Sequence, residues 1–272
     1  MRFLQKGKVP GIAWPQIASG WASLSPEERM TGTEALTTAA KGGGTAVIIG
    51  VQDPDFAAVG RYAKHAEKAG ADGLMCISPD GVNDEAKLLE YYQQVGKMTN
   101  LPLFAQAVGN MSVDVLVKMY ETIPTLKYVK DEAGEPLLRV TELRKRTNNG
   151  LQVFTGRGVR TLVTEMERGV AGHCPHVSLA DVFQSAWDAW HAGDKAAAFQ
   201  RFGAISAVST MFSLGSPNVL IARGVFKPGT KARSNPRAPG AAPAGPPAYT
   251  PADNPEEIAR ILKDYMTPYM RA

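Results

Sequence analysis

Residues 127–146 have the sequence KYVKDEAGEPLLRVTELRKR, which joins a short strand to the helix that follows it. The run from Lys127 to Lys130 contains an aromatic and a β-branched residue, as is typical of a buried strand. An acidic loop, DEAGEP, separates this run from a segment of helical period. The stretch therefore predicts one βα unit of an α/β fold.

Six further apolar runs alternate with helical segments on either side of this unit, so the chain predicts seven strands. The six runs are Pro10 to Trp14, Thr45 to Val51, Gly73 to Ser78, Leu103 to Ala107, Val153 to Gly156 and Gly172 to Ser178. The spacing between strands, roughly 22 to 36 residues, suits one βαβ unit per step. Seven such steps favour a (β/α)₈ TIM barrel over a short doubly wound sheet.

The N-terminal residues bear on whether such a barrel is complete. A barrel of this class needs eight strands, and residues 1–7, MRFLQKG, predict the tail of a helix rather than a strand. We therefore expect the first βα unit to be missing. An upstream start codon, a truncated gene model or a partner chain that fills the gap would each explain this, and truncation is favoured over a genuine seven-stranded protein.

The domain organisation follows from the C-terminal composition. Residues 1–225 are predicted to hold the incomplete barrel and the first C-terminal helices, from Leu179 to Ala192 and from Lys195 to Ser213. Residues 226–272 are predicted to form a connection rich in proline, alanine and glycine and a terminal helix, Pro255 to Tyr269, packed on the barrel.

Composition favours an ordinary globular protein of the cytoplasm. The chain has 272 residues, 44% hydrophobic and 21% charged, with a formal net charge of +4. Cys76 and Cys174 lie in apolar runs, which predicts buried thiols rather than a disulfide. The sequence predicts neither a signal peptide nor a membrane span. Nucleic acid is not an expected partner, because the main basic cluster lies in a loop without interleaved aromatics: Lys227, Lys231, Arg233 and Arg237.

Lys130 is the candidate catalytic residue because it closes a predicted strand. The C-terminal strand ends of a barrel form its active site, so this amine would point into the mouth of the barrel. A lysine among apolar or cationic neighbours deprotonates more readily and can condense with a ketone. The resulting iminium is an electron sink for a reaction at the adjacent carbon.

Several segments in order resemble the dihydrodipicolinate synthase and N-acetylneuraminate lyase family. The resemblance covers most of residues 9 to 225 and rests on WASLSPEERM, AEKAGADGLMCISP, LPLFAQAVGNMSVDVL, KYVKDEAGEPLLRVTELRKR and AWDAWHAGDKAAAFQRF. It implies a class I aldolase-type barrel, usually a homo-oligomer such as a dimer or tetramer, that forms a Schiff base with a 2-oxo acid and uses no further cofactor. The family's lysine corresponds to Lys130.

At two positions this chain departs from the family's proton-transfer and carboxylate-binding residues. Gln106 stands where many members have a proton-relaying tyrosine. An amide cannot serve as an acid or base, but it can orient a water or hydrogen-bond a carbonyl, so Gln106 is the second catalytic candidate beside Lys130. Glu132 is one substitute; a solvated loop carboxylate is the other interpretation. The family's Thr-Thr-Gly-Glu loop falls on residues 16–21, QIASGW, where Gln16 and Ser19 are the candidates for binding the substrate carboxylate, unless this stretch is simple turn chemistry.

Two further residues are candidates for substrate binding. Arg157 follows the strand from Val153 and can clamp a carboxylate, or else faces solvent at the start of the next helix. His176 is expected near the barrel mouth at the end of the last strand. Together with His173 and Cys174 it suggests zinc, but alternation along a strand would turn the two histidines to opposite faces, so no metal is expected.

These residues predict a Schiff-base lyase, either an aldolase or a dehydratase, for pyruvate-like 2-oxo acids or sugar-derived 2-keto-3-deoxy acids. Dihydrodipicolinate synthesis itself is not expected, because Asn110 replaces the arginine that binds the second carboxylate in those synthases. The alternative is a non-catalytic relative that binds a 2-oxo acid or sugar acid.

Overall fold

The computed structural model describes residues 1–82, 84–156, 160–233 and 251–272. The chain divides into two compact units. The first contains Met1, Pro10–Ser19 and Ser25–Pro175, and the second contains Arg2–Val9, Gly20–Leu24 and His176–Ala272.

The first unit is built on a parallel sheet of seven strands, as the sequence predicts. The strands are β1 Gly11–Trp14, β2 Ala46–Gly50, β3 Gly73–Ile77, β4 Leu103–Ala107, β5 Leu126–Asp131, β6 Gln152–Thr155 and β7 Gly172–His173. Each strand pairs with its neighbour in the chain, so the sheet order is the sequence order. All carboxyl ends therefore lie along one edge.

Helices connect successive strands and begin where capping residues precede them. They are α2 Pro26–Ala40, α3 Phe56–Ala69, α4 Glu85–Gly96, α5 Val113–Thr122, α6 Pro136–Arg146 and α7 Leu162–Glu167. Ser25 and Glu28 form a capping box at α2, with Pro26 in the first turn. At α3 the cap is Asp55, and the carboxylate of Asp53 accepts from the backbone N–H of Asp55.

Strand β7 is shorter than predicted and ends at His173 instead of Ser178. Pro175 explains the difference, because proline has no N–H to donate to a sheet ladder. The chain then turns into a 3₁₀ helix at Val177–Leu179. His176 is consequently not a strand residue, so the prediction that His173 and His176 point to opposite faces of a strand does not apply.

Within the residues described, no strand of the sheet lies in the second unit, which is built mainly from α-helices. They are α1 Arg2–Lys6, α8 Ala180–His191, α9 Lys195–Met211, α10 Pro217–Ala222 and α11 Pro255–Tyr265. The sequence predicts α8, α9 and α11 to within four residues at each end, but not α10. Within the described ranges no helix is both long and apolar enough to span a membrane.

A buried ion pair joins distant parts of the second unit. The guanidinium of Arg223 binds both carboxylate oxygens of Asp181, at 2.6 and 2.7 Å. It also donates to the carbonyls of Ser178 and Ala272, at 2.8 and 2.6 Å. Its face lies 4.6 Å from the ring centroid of Phe3. One arginine thus connects α1, α8 and the C-terminal residues.

Candidate functional site

The candidate site is formed where β4 and β5 end. Gln106 pairs in register with Lys130, and each is the second-to-last residue of its strand. Paired residues of neighbouring parallel strands point to the same face of a sheet. The next residue, Asp131, points to the opposite face, where the guanidinium of Arg139 on α6 binds its carboxylate at 2.8 Å. Lys130 and Gln106 therefore lie on the face turned away from α6.

Glu132 joins these two side chains. Its Oε2 lies 3.0 Å from Nζ of Lys130 and accepts a hydrogen bond of 2.5 Å from Nε2 of Gln106. The side chains of Lys130 and Glu132 are only 13% and 17% exposed. Glu132 is thus not the solvated loop carboxylate that was one interpretation of the sequence.

Gly156 makes room for this carboxylate. A Cβ atom at position 156 would lie 2.1 Å from Oε1 of Glu132 and 2.6 Å from its Cδ. Any side chain at this position would collide with the carboxylate, so the position of Glu132 depends on a glycine at the end of β6.

An aromatic layer lies next to the site along the same face. The rings of Phe104 and Tyr128 stack at 4.3 Å, and Phe154 meets them edge-on at 5.3 and 6.0 Å. Phe104 and Tyr128 precede Gln106 and Lys130 by two residues, which places all four on one face. Phe154 pairs in register with Lys130, so the three aromatic side chains line the same face of the sheet as Lys130 and Gln106.

Cys174 also lies close to the charged pair. Burial raises the pKa of its thiol to about 11, an effect that the charge of Glu132 strengthens and that of Lys130 opposes. The thiol is therefore protonated at neutral pH and does not compete with Lys130 as a nucleophile.

On the opposite face, a buried carboxylate connects the ends of β6 and β7. Glu165 accepts hydrogen bonds of 2.6 Å from both Thr155 and Thr161, and its Oε2 lies 3.0 Å from Nε2 of His173. Burial acts to raise the pKa of Glu165, but His173 and the two threonines outweigh it and hold that pKa below its usual value. This arrangement accounts for His173 as a structural residue.

Gln16 and Ser19, the candidates for carboxylate binding, lie after β1. Ser19 is exposed in a short 3₁₀ helix, and its N–H donates to the carbonyl of Gln16. Gln16 is only 6% exposed, and neither Nε2 nor Oε1 of its amide has a hydrogen-bond partner among the described residues. Gln52 is buried nearby, and its Oε1 also has no hydrogen-bond partner among the described residues, although its Nε2 donates to the carbonyl of Pro15. No described hydrogen bond or ion pair joins Gln16 or Ser19 to Lys130.

The unpaired amide of Gln16 leads to a prediction on stability. A buried polar group without a partner costs about 1–3 kcal/mol. We therefore expect Gln16→Met to raise the free energy of unfolding, by about 1–2 kcal/mol in urea denaturation. The same change at Gln152, whose Nε2 donates to the carbonyl of Asn149 at 2.8 Å, is expected to lower it. If both variants change the free energy of unfolding equally, the amide of Gln16 has hydrogen-bond partners in solution.

The other two predicted binding residues do not extend this geometry. His176 is exposed in the second unit, and its ring lies against Gly215, 3.2 Å from where a Cβ would be. Arg157 lies outside the described residues. Sequence reasoning missed Gly156, Gln52 and the proximity of Cys174. A glycine ending a strand was the only available signal among these, because it marks a close approach of another group.

The fold is that of a known class of α/β protein. It is similar to the crystal structure of dihydrodipicolinate synthase from Rhodopseudomonas palustris, with a TM-score of 0.80 at 22% identity over 96% of this chain and 88% of that one. The chain thus has the TIM-barrel-like fold that the sequence predicts, with a strand-ending lysine at the sheet edge where such proteins carry their sites.

Sequence comparison then gives the family. Residues 18–240 match the Dihydrodipicolinate synthetase family, and the chain belongs to it. 4-Hydroxy-tetrahydrodipicolinate synthase 1 of Streptomyces coelicolor is 29% identical over 220 residues, 76% of this chain and 70% of that protein. An Escherichia coli protein named as a probable 2-dehydro-3-deoxy-D-pentonate aldolase is 25% identical over 227 residues, 80% of this chain and 75% of its own length.

Proposed function

We propose that the protein is a Schiff-base-forming lyase that acts through Lys130 on pyruvate-like 2-oxo acids or sugar-derived 2-keto-3-deoxy acids. The observation that carries the proposal is the placement of Lys130, a largely buried amine at the carboxyl end of β5 beside a carboxylate and an amide. Membership of a family that includes lyases and synthases supports it. So does a relative whose name describes cleavage of a 2-dehydro-3-deoxy sugar acid.

The chemistry follows from the amine. Nζ of Lys130 attacks the ketone carbon of the 2-oxo acid, and loss of the ketone oxygen as water leaves a protonated imine. That cation accepts an electron pair when a bond of the next carbon breaks. This bond is either the one to a proton or the one to the carbon that becomes an aldehyde. An aldolase breaks the carbon–carbon bond at this stage, whereas a dehydratase expels a hydroxyl group.

The other predicted residues complete the proposed site. Gln106 orients the groups around Lys130, while Gln16 and Ser19 bind the substrate carboxylate, and Arg157 contacts the rest of the substrate. We further propose that the protein works as a homo-oligomer, and that a βα unit preceding β1 would complete an eight-stranded barrel.

Reductive trapping tests the proposal directly. With pyruvate, 2-oxobutyrate or a 2-keto-3-deoxy sugar acid, borohydride is expected to fix a covalent adduct that mass spectrometry of peptides locates at Lys130. Lys127, an exposed lysine of the same strand, provides the control, because Lys127→Ala should trap as the wild type does. Failure to trap any of these acids would refute the proposal. Thermal stabilisation by the same acids without an adduct would favour the non-catalytic alternative.

A further inference from the structure

We propose that Glu132 is the catalytic acid and base of this site and carries out the proton transfers that a tyrosine at another position performs in many relatives. The inference rests on the proposed function of Lys130 and identifies which side chain moves the protons. It is carried by the contact of Glu132 with the reacting nitrogen and by two neighbours that hold the carboxylate there.

Geometry meets the first requirement of a proton-transfer group. Oε2 of Glu132 lies 3.0 Å from Nζ of Lys130, within the hydrogen-bond distance that such a group needs. Gln106, in the position of the tyrosine, cannot itself exchange a proton. Its Nε2 donates to the same oxygen at 2.5 Å, so the amide positions the carboxylate instead.

The surroundings fix the carboxylate in this place. The backbone N–H of Glu132 donates to the carbonyl of Ala107 at 2.8 Å, which extends the β4–β5 ladder by one residue beyond β5. The side chain fills the space over Gly156. Glu132 is consequently part of the sheet edge and is held against Lys130 from the backbone as well as from the side chain.

The proton transfers balance over a complete aldol cleavage. Glu132 takes one proton from the ammonium group of Lys130, and the amine so formed attacks the ketone carbon. A second proton passes from the attacking nitrogen to the ketone oxygen, and Glu132 then gives its proton to the resulting carbinolamine hydroxyl, which leaves as water. The carboxylate then takes the proton of the hydroxyl group on C4. The C3–C4 electron pair forms the C2–C3 double bond, the iminium pair moves to nitrogen, and an aldehyde leaves. Finally Glu132 returns its proton to C3, and water hydrolyses the imine of pyruvate.

The same transfers make the methyl hydrogens of bound pyruvate exchange with solvent, which gives a test that does not require the natural substrate. In D₂O, nuclear magnetic resonance should show that the wild-type protein exchanges the C3 hydrogens of pyruvate. Glu132→Gln keeps the size and the amide contact but cannot carry a proton, so exchange should fall about 10²–10⁴-fold. Borohydride trapping at Lys130 after equilibration should still occur.

Two further variants separate proton transfer from a structural effect. Glu135→Gln, in the same loop but exposed at the start of α6, should exchange at the wild-type rate. Gly156→Ala keeps Glu132 but displaces its carboxylate, and should slow exchange while the Lys130 adduct still forms. Glu132→Gln that traps pyruvate and exchanges within about threefold of the wild type would overturn the role of Glu132. No adduct in the wild type would instead overturn the proposed function itself.

Discussion

Replacement of Lys130 with alanine is expected to reduce the release of pyruvate from 2-keto-3-deoxy sugar acids by roughly 10⁴–10⁶-fold. Without the amine no iminium forms to accept the electron pair of the breaking carbon–carbon bond. A coupled assay for pyruvate measures the loss in kcat/KM. Lys130→Arg is expected to be equally inactive, because a guanidinium stays protonated and does not condense with a ketone.

The control again comes from the same strand. Lys127 is exposed, so Lys127→Ala should retain wild-type turnover. Circular dichroism of both variants checks that the fold is intact. Turnover of Lys130→Ala within tenfold of the wild type would show that the reaction proceeds without a Schiff base at this residue.

Replacement of Arg223 with methionine is expected to lower the free energy of unfolding of the second unit by about 3–5 kcal/mol. Asp181 is fully buried, and the loss of Arg223 would leave its charge with only the backbone N–H groups of Arg271 and Ala272. Urea denaturation measures the loss, and hydrogen exchange in α8 locates it. Arg223→Met combined with Asp181→Leu should recover most of the stability, because a buried pair can be replaced by apolar groups at little cost.

An exposed arginine provides the matched control for this loss. Arg260 pairs with Glu257 and Asp264 on the surface of α11, so Arg260→Met should cost under about 1 kcal/mol. A comparable loss in both variants would contradict a special role for the buried pair.

Acid should reduce the difference between Arg223→Met and the wild type. Burial acts to raise the pKa of Asp181, but the hydrogen bonds and charge of Arg223 outweigh it and hold that pKa below its usual value. An aspartate whose pKa is lower in the folded protein than in the unfolded one, where it is about 3.9, stabilises the folded protein at pH values above that unfolded-state pKa. This stabilisation is lost as the pH falls through the folded-state pKa. The deficit of the variant should therefore be largest near pH 7 and shrink below about pH 4.

The helices and strands of this protein can be predicted from its sequence better than the contacts between their side chains. β5 is predicted at Lys127 to Lys130 and is found at Leu126–Asp131, because strand composition and a following helix that begins with proline are local signals. Pro175 is also a local signal, and taking it into account would have ended β7 correctly at His173. The position of Lys130 at the sheet edge could be predicted because a residue at a strand end has a definite place in a parallel sheet, whereas its catalytic role remains a proposal.

Contacts that depend on loop direction or on distant pairing could not be predicted. Glu132 follows β5, and whether it turns back to Lys130 depends on the space over Gly156, which directly follows another strand, β6. Arg223 and Asp181 are 42 residues apart, Asp181 in the first turn of α8 and Arg223 directly after α10. Periodicity gives the face of a helix but not which distant charge will meet it.

The raised pKa values of the two native thiols make an alkylation experiment at Lys130 selective. Burial raises the pKa of Cys76 to about 12, and that of Cys174 is about 11, so fewer than about one in a thousand of either is a thiolate at pH 7. In a Lys130→Cys protein, 2-bromoethylamine should thus leave both native cysteines unmodified, and mass spectrometry of peptides would detect its reaction with the introduced thiol. The product is a thioether amine of nearly the length of lysine, so this chain allows its proposed nucleophile to be removed and then rebuilt chemically without first replacing a native cysteine.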